Sequence, residues 1–400
     1  MNLLEVVESC GGGVGRHVLS LCEGLAAEEH RVAVAYAPFR ADEAFLRFVG
    51  DWSDTIRFVA LDMRRELSPA SDLRALAQLV RVIRQEGPFD VLHGHSSKGG
   101  ALARIAGRVS NVPTVYTPHG LVLASPLPRV EYFTYAWIER LLGHVATPKF
   151  IAVSEDESEF ARKLRLVPND RIAVIEPGLD HQDFGYLSEK AVDKDVNQKP
   201  LTFGSVMRFC REKAPGQFVE AFIQLVRALP QIPMRLVMAG DGELLEGVRR
   251  QVDRSGLKEQ ISLPGWTSNP KELLREFDIF VLSSLTEAFP YSALEAMAAE
   301  LPIVSTDVFG VRRILSKIPG NVMVSAGQPE ALANGMKQMI TQTDAKSLRQ
   351  RLQEIGQCNR DYVQTHFLQA ETIRRTITLY RSLVDHRQWV KSIEVENGAS

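Results

Sequence analysis

Short runs of β-branched and aromatic residues alternate, along almost the whole chain, with stretches whose apolar positions recur every three or four residues. Leu3-Leu4-Glu5-Val6-Val7 reads as a strand, followed by a glycine-rich loop at 9–17 and an amphipathic run over 18–25. Val32-Ala-Val-Ala-Tyr36 is a second strand, and leucines and valines over 72–84 recur at helical spacing. Strands are expected to end at His93 to His95 and at Thr117, with a small-residue helix start at 101–107 and an aromatic helix from about 129 to 142. Ile151-Ala-Val and Ile172-Ala-Val-Ile are further strands. The polar, Lys/Asp/Asn-rich stretch 186–200 then breaks the pattern.

Alternation resumes at Leu201, with strands expected near 201–207, 235–239, 261–263, 279–282 and 301–306. Pro290 opens an Ala/Leu/Glu-rich helix, and 344–383 is helical by its leucine, isoleucine and tyrosine spacing. Repeated β-α units on both sides of a polar linker predict two doubly wound α/β domains, 1–185 and 201–372. The linker is 186–200, and a C-terminal segment, 373–400, is expected to end in about a dozen loose residues.

Composition narrows the function classes. Four hundred residues with 45% hydrophobic content suit two domains, each large enough for its own core. Lys and Arg number 47 against 49 Asp and Glu, a net charge of −2, so no global electrostatic case for nucleic acid exists and any basic site is local. The four cysteines form no C-x-x-C pair, which argues against structural zinc and a disulfide framework and fits a reducing cytoplasm. Met1 leads straight into a strand without a basic region and cleavage site, so no signal peptide is read. No apolar run reaches about 18 residues, so no membrane-spanning helix is expected.

Candidate chemistry gathers at the expected strand ends. Gly11-Gly12-Gly13-Val14-Gly15 lies between a strand and a helix, where backbone N–H groups can approach a phosphate; a plain tight turn is the competing reading. A dinucleotide fingerprint fails there, because Arg16 or Val18 stands where the third glycine belongs. His95 and His119 fall just beyond strand C-termini, and neither has a Cys or carboxylate at metal-ligand spacing, so both read as hydrogen-bonding histidines. Arg208 ends a strand and Lys213 follows across a loop: a forked donor and a point charge, together suited to a diphosphate. Glu287 and Glu295 stand eight residues apart, one in a loop and one in a helix, so both can face a crevice beyond the strand end; acids near a helix start are also ordinary. Tyr132, Phe133, Tyr135 and Trp137, with Arg129 and Arg140, make the 129–142 helix aromatic enough for a lipid interface or a lipid-linked acceptor, with core packing as the alternative.

The combination resembles glycosyltransferase family 4, in particular its bacterial polysaccharide-building members. The residues that carry the likeness are Gly11-Gly12-Gly13-x-Gly15-Arg16-His17-Val18, His93-Gly94-His95-Ser96-Ser97-Lys98, Thr117-Pro118-His119-Gly120, Arg208 to Lys213, and the E-x7-E stretch Glu287-Ala-Phe-Pro-Tyr-Ser-Ala-Leu-Glu295. The resemblance implies the GT-B architecture, two Rossmann-like doubly wound domains facing across a cleft, with a final helix returning to the first domain. It implies retaining transfer from a nucleoside diphosphate sugar, a UDP- or GDP-sugar, without a metal. Arg208 and Lys213 would stabilise the departing diphosphate, Glu287 would contact the sugar, Glu295 the ribose, and His119 a substrate hydroxyl. Gly13, Gly15, Phe289, Pro290 and Tyr291 would line the donor site, and His95, Lys98 and Arg16 the acceptor side.

The expected acceptor is a polyprenyl-diphosphate-linked glycan, handled by a cytoplasmic protein in peripheral contact with the inner membrane. Three departures from the family pattern stand out: Met207 in place of a glycine before Arg208, Glu176-Pro177-Gly178 in place of Asn-Gly, and Arg312-Arg313 in place of Pro-Glu. A nucleotide-sugar epimerase and a non-catalytic scaffold of the same fold are the alternative readings.

Overall fold

The computed structural model describes residues 1–64, 68–188, 199–267, 269–341 and 347–398, so most of the expected linker, at 189–198, lies outside the described residues. The chain divides into two compact units, 1–177 together with 369–400, and 178–368. The first unit holds a seven-stranded sheet of β1 (Asn2–Val7), β2 (Arg31–Tyr36), β3 (Arg57–Ala60), β4 (Val91–His95), β5 (Thr114–Thr117), β6 (Lys149–Ala152) and β7 (Ile172–Val174). Their order is β3-β2-β1-β4-β5-β6-β7, every pairing parallel. The second unit holds β8 (Leu201–Val206), β9 (Met234–Ala239), β10 (Ile261–Gly265), β11 (Ile279–Leu282), β12 (Ile303–Thr306) and β13 (Val322–Val324). They run β10-β9-β8-β11-β12-β13, again all parallel.

Both units are therefore Rossmann-like, as the alternation of patterns leads one to expect. Helices cover both faces of such sheets, which is why the central strands read as continuous apolar runs. Strand order reverses between β1 and β4 in one sheet and between β8 and β11 in the other, and ligands of doubly wound sheets bind beyond the strand C-termini at such a switch point.

A buried carboxylate stands out in the central strands. Glu5, in the middle of β1, is 0% exposed, between Leu3 and Leu4 on one side and Val6 and Val7 on the other. A buried carboxylate is costly unless hydrogen-bonded, so its partners mark a site.

The C-terminal helix Gln369–Gly398 belongs to the first unit. It lies so close to helix Gly12–Ala27 that a Cβ on Gly24 would stand 2.2 Å from Ile373 Cδ1. The helix starts four residues before the expected boundary and continues to Gly398, where a loose end was expected, because no glycine or proline interrupts 369–397.

Helix Arg129–Val145 is apolar on both faces, with Tyr132 and Tyr135 packed against the core and a second apolar row turned outward. Its buried positions are Ala136, Glu139 and Gly143, while Val130, Phe133, Trp137, Leu141 and Val145 are 46–78% exposed. The reason is an ionic core contact. The fully buried Arg104 of helix Ser97–Ser110 donates to Glu139 Oε2 at 2.9 Å and lies 3.9 Å over the Tyr116 ring, whose hydroxyl donates to Glu139 Oε1 at 3.2 Å. Glu139 must face inward to pair with Arg104, and the spacing of the helix then turns the second apolar row outward.

Candidate active site

In the second unit, two loops meet at the switch point. After β8, Met207 donates its amide to Ala239 O, and Arg208 follows with its side chain exposed. A single helical turn, Arg211–Lys213, then brings Lys213 beside the loop after β11, where it forms an ion pair with Glu287. Ser284 Oγ donates to the same Glu287 oxygen at 2.6 Å, Ser283 Oγ donates to Lys213 O at 2.8 Å, and Leu285 N donates to Glu212 O at 2.7 Å.

Glu287 is thereby held by a cation and a hydroxyl from opposite sides of the strand-order reversal, with part of its surface open. Glu295 sits in helix Tyr291–Ala298, only 8% exposed, and Pro290 caps that helix. Phe289 is buried, its ring 5.6 Å from that of Phe367, so its ring packs in the core; Tyr291 is half-buried. Gly310, at φ 75°, is required by close approach, since a Cβ there would lie 2.7 Å from Ala288 O.

In the first unit, the glycine loop and the histidines gather at the β1/β4 reversal. Helix Gly12–Ala27 begins inside the loop, and the Gly12 amide donates to Asp42 Oδ2 at 3.0 Å. A carboxylate thus already answers one of the N–H groups that a phosphate would use. Gly15 is buried and needed for packing, since its Cβ would lie 2.7 Å from Cys10 O; Gly13 is exposed and Arg16 half-buried. Lys98 pairs with Asp72 at 2.6 Å, tying helix Ser97–Ser110 to helix Pro69–Glu86. Ser96, ahead of Lys98, has φ 62° and a buried hydroxyl with no partner among the described residues.

The spacing of the histidines in sequence hides a carboxylate that the sheet supplies. Parallel register sets Glu5 beside His93 and Val7 beside His95, and His95 Nε2 lies 2.7 Å from Glu5 Oε2. His95 Nδ1 lies 2.9 Å from His119 Nε2, and the His17 ring meets that of His119 edge-on at 4.6 Å. On the other side of Glu5, the Tyr380 hydroxyl donates to Oε1 at 3.1 Å and stands 2.5 Å from His93 Nδ1, while His93 Nε2 is 2.7 Å from Thr117 Oγ1. Burial, then neighbouring histidines, holds His93 and His119 well below the usual imidazole range and His17 down to about 3.

Glu5, His93 and His95 come close enough to share a metal ion, yet each of their ring nitrogens already has a protein partner and the arrangement is a hydrogen-bond chain. His119 itself has φ 53°, a left-handed turn clamped by Glu157, whose Oε1 accepts from Gly120 N at 2.8 Å and Leu121 N at 3.2 Å. Glu5, Tyr380 and Glu157 were not singled out from the sequence, and His17 was noted only as part of the glycine-loop motif. A lone charge inside an apolar strand was the available signal for Glu5; Tyr380 reaches the site from 375 residues away.

Comparison with known proteins bears on the family and the fold. Residues 11–183 match the model of Glycosyltransferase Family 4, and 188–358 that of Glycosyl transferases group 1. The chain is 28% identical over 305 residues to the Escherichia coli UDP-Gal:alpha-D-GlcNAc-diphosphoundecaprenol alpha-1,3-galactosyltransferase, covering 74% of this chain and 77% of that one. It is 24% identical to the Staphylococcus aureus capsular polysaccharide biosynthesis glycosyltransferase CapM, over 77% of this chain and 80% of that protein. Among solved structures, Anabaena Alr3699/HepE in complex with UDP-glucose superposes with a TM-score of 0.77 at 18% identity, covering 96% of this chain and all of that one. Two Rossmann-like parallel sheets, with family models matched over 11–183 and 188–358, make this chain a GT-B glycosyltransferase of the family 4 type.

Proposed function

We propose that the protein transfers a hexosyl group, with retention, from a UDP-sugar to a hydroxyl of a polyprenyl-diphosphate-linked glycan during cell-surface polysaccharide assembly. The observation that carries the donor half of this reading is the Lys213–Glu287–Ser284 cluster at the β8/β11 reversal. Breaking the anomeric bond leaves negative charge on the departing diphosphate, and fixed cations beside it lower the barrier. Arg208 and Lys213 take that role, and Lys213 holds Glu287 in place to accept hydrogen bonds from sugar hydroxyls. Glu295 holds the ribose, and backbone groups of 289–291 complete the donor site within the second unit. No metal is assigned to this step. GDP-sugar is the alternative donor, and the UDP-linked names of the Escherichia coli and Anabaena relatives favour UDP.

On this reading the acceptor is held by the first unit, near His95, His119, Lys98 and Arg16, and the diphosphoundecaprenol in the name of the same Escherichia coli relative supports a lipid-linked acceptor. The exposed stripe of helix Arg129–Val145 supports peripheral contact with a membrane surface. Among the described residues, no helix is long and apolar enough to cross a membrane.

Incubation of the protein with UDP-hexoses and a short polyprenyl-diphosphate sugar tests the reading. The expected product is one hexose longer and α-linked, and Lys213→Ala or Arg208→Ala lowers kcat about a hundredfold, the equivalent of roughly 3 kcal/mol of transition-state stabilisation. A β-linked product contradicts retention; a sugar isomerised without acceptor contradicts transfer.

A further inference from the structure

With Glu5 ionised and His95 neutral, the hydrogen bonds around Glu5 leave one consistent arrangement of protons. A carboxylate only accepts, so with Glu5 ionised the nitrogen of His95 that faces it, Nε2, carries the proton. A neutral imidazole has one donor and one acceptor; His95 Nδ1 is then the acceptor, and the proton between the two rings sits on His119 Nε2. His119 Nδ1 is left as a lone pair.

The other branch closes the same way. Tyr380 donates to Glu5, so its oxygen accepts from His93 Nδ1–H, and His93 Nε2 accepts from the Thr117 hydroxyl. Every donor meets an acceptor, and the branch braces Glu5 from its second oxygen. The left-handed turn at His119, clamped by Glu157, fixes where that lone pair stands.

We propose that Glu5 is a positioning residue which, through His95, sets the tautomer of His119 so that Nδ1 accepts a hydrogen bond from a sugar hydroxyl of the substrate. Tyr380, delivered by the C-terminal helix, and His93 keep Glu5 in register for this. The logic is that of a buried carboxylate orienting an imidazole whose far nitrogen does the work. The role of His119 toward substrate rests on the glycosyltransferase reading; its tautomer does not.

The two are separated by experiment. Long-range proton–nitrogen NMR spectra of the 15N-labelled full-length protein, with ring signals assigned through His119→Asn and His95→Asn, report the tautomers directly. The expected result is a neutral His119 protonated at Nε2 and a His95 protonated at Nε2 between pH 6 and 8. A His119 protonated at Nδ1, or a charged one, overturns the proposal whatever the enzyme's activity. In Glu5→Gln, whose fold is checked by its melting curve, His119 is expected to become a mixture of tautomers. There kcat falls roughly ten- to hundredfold while KM for the nucleotide sugar changes less than about threefold. Tyr380→Phe leaves the Glu5–His95 bond in place and lowers kcat less than Glu5→Gln does. Unchanged tautomers and unchanged kcat in a folded Glu5→Gln overturn it; if that variant does not fold, the wild-type spectra still decide.

Discussion

Glu157 accepts amide bonds from Gly120 and Leu121 at one oxygen and from Val153 at the other, in a position that is almost wholly buried. Burial penalises the charge more than the three amides favour it, and its pKa rises from 4.5 to about 7. A carboxyl with a raised folded pKa stays protonated in the native state while the unfolded chain ionises, so its contribution is whole below pH 4.5 and is lost as pH rises through 7. The shift corresponds to about 3 kcal/mol, and urea unfolding across pH 4 to 8 is expected to show that loss, with Glu157→Gln removing the slope in this window. A slope unchanged by the substitution contradicts the assignment.

At this scale the sequence was legible where chemistry is local. Arg208, Lys213, Glu287 and Glu295 stand in short spacings beside recognisable strand ends. Glu5 was not, because its meaning comes from His95, 90 positions on, and Tyr380, 375 positions on, brought to it by parallel register and a returning helix.

Helices carry the next level of consequence. The aromatic density of residues 129–142 was readable, but not its division, in which Tyr132 and Tyr135 pack on the core while Phe133 and Trp137 face outward once Arg104, on another helix, takes Glu139 inward. Val130, Phe133, Trp137, Leu141 and Val145 follow one another at three- and four-residue steps and so form a single outward row. Because these side chains are already exposed, replacing Phe133 and Trp137 with serine is expected to leave the melting temperature within about two degrees. Cosedimentation with vesicles containing anionic lipid is expected to fall several-fold. Equal vesicle binding by the double variant contradicts membrane contact through this helix. The C-terminal helix shows the opposite case: its spacing announced a helix, while its docking depends on Gly24, whose missing side chain leaves room for Ile373.

The whole molecule repeats one solution twice. Each unit reverses strand order beside its first strand, and each gathers its polar side chains at the C-terminal ends of the central strands, which is where that topology leaves room for a ligand. The α/β alternation that predicts this is a property of hydrophobic periodicity and was visible along the chain. The return of residues 369–400 to the first unit was not visible in that pattern, since a helical period states how a segment folds and not what it packs on. On the proposed reading, the second unit binds a nucleoside diphosphate sugar at the β8/β11 reversal. Ligand that binds only the native state raises the melting temperature by mass action. Melting curves with UDP, GDP, ADP and their hexose derivatives are expected to show a rise with UDP and UDP-hexose that Arg208→Ala and Glu295→Ala both abolish. A folded wild-type protein whose melting temperature none of these nucleotides moves would contradict the account.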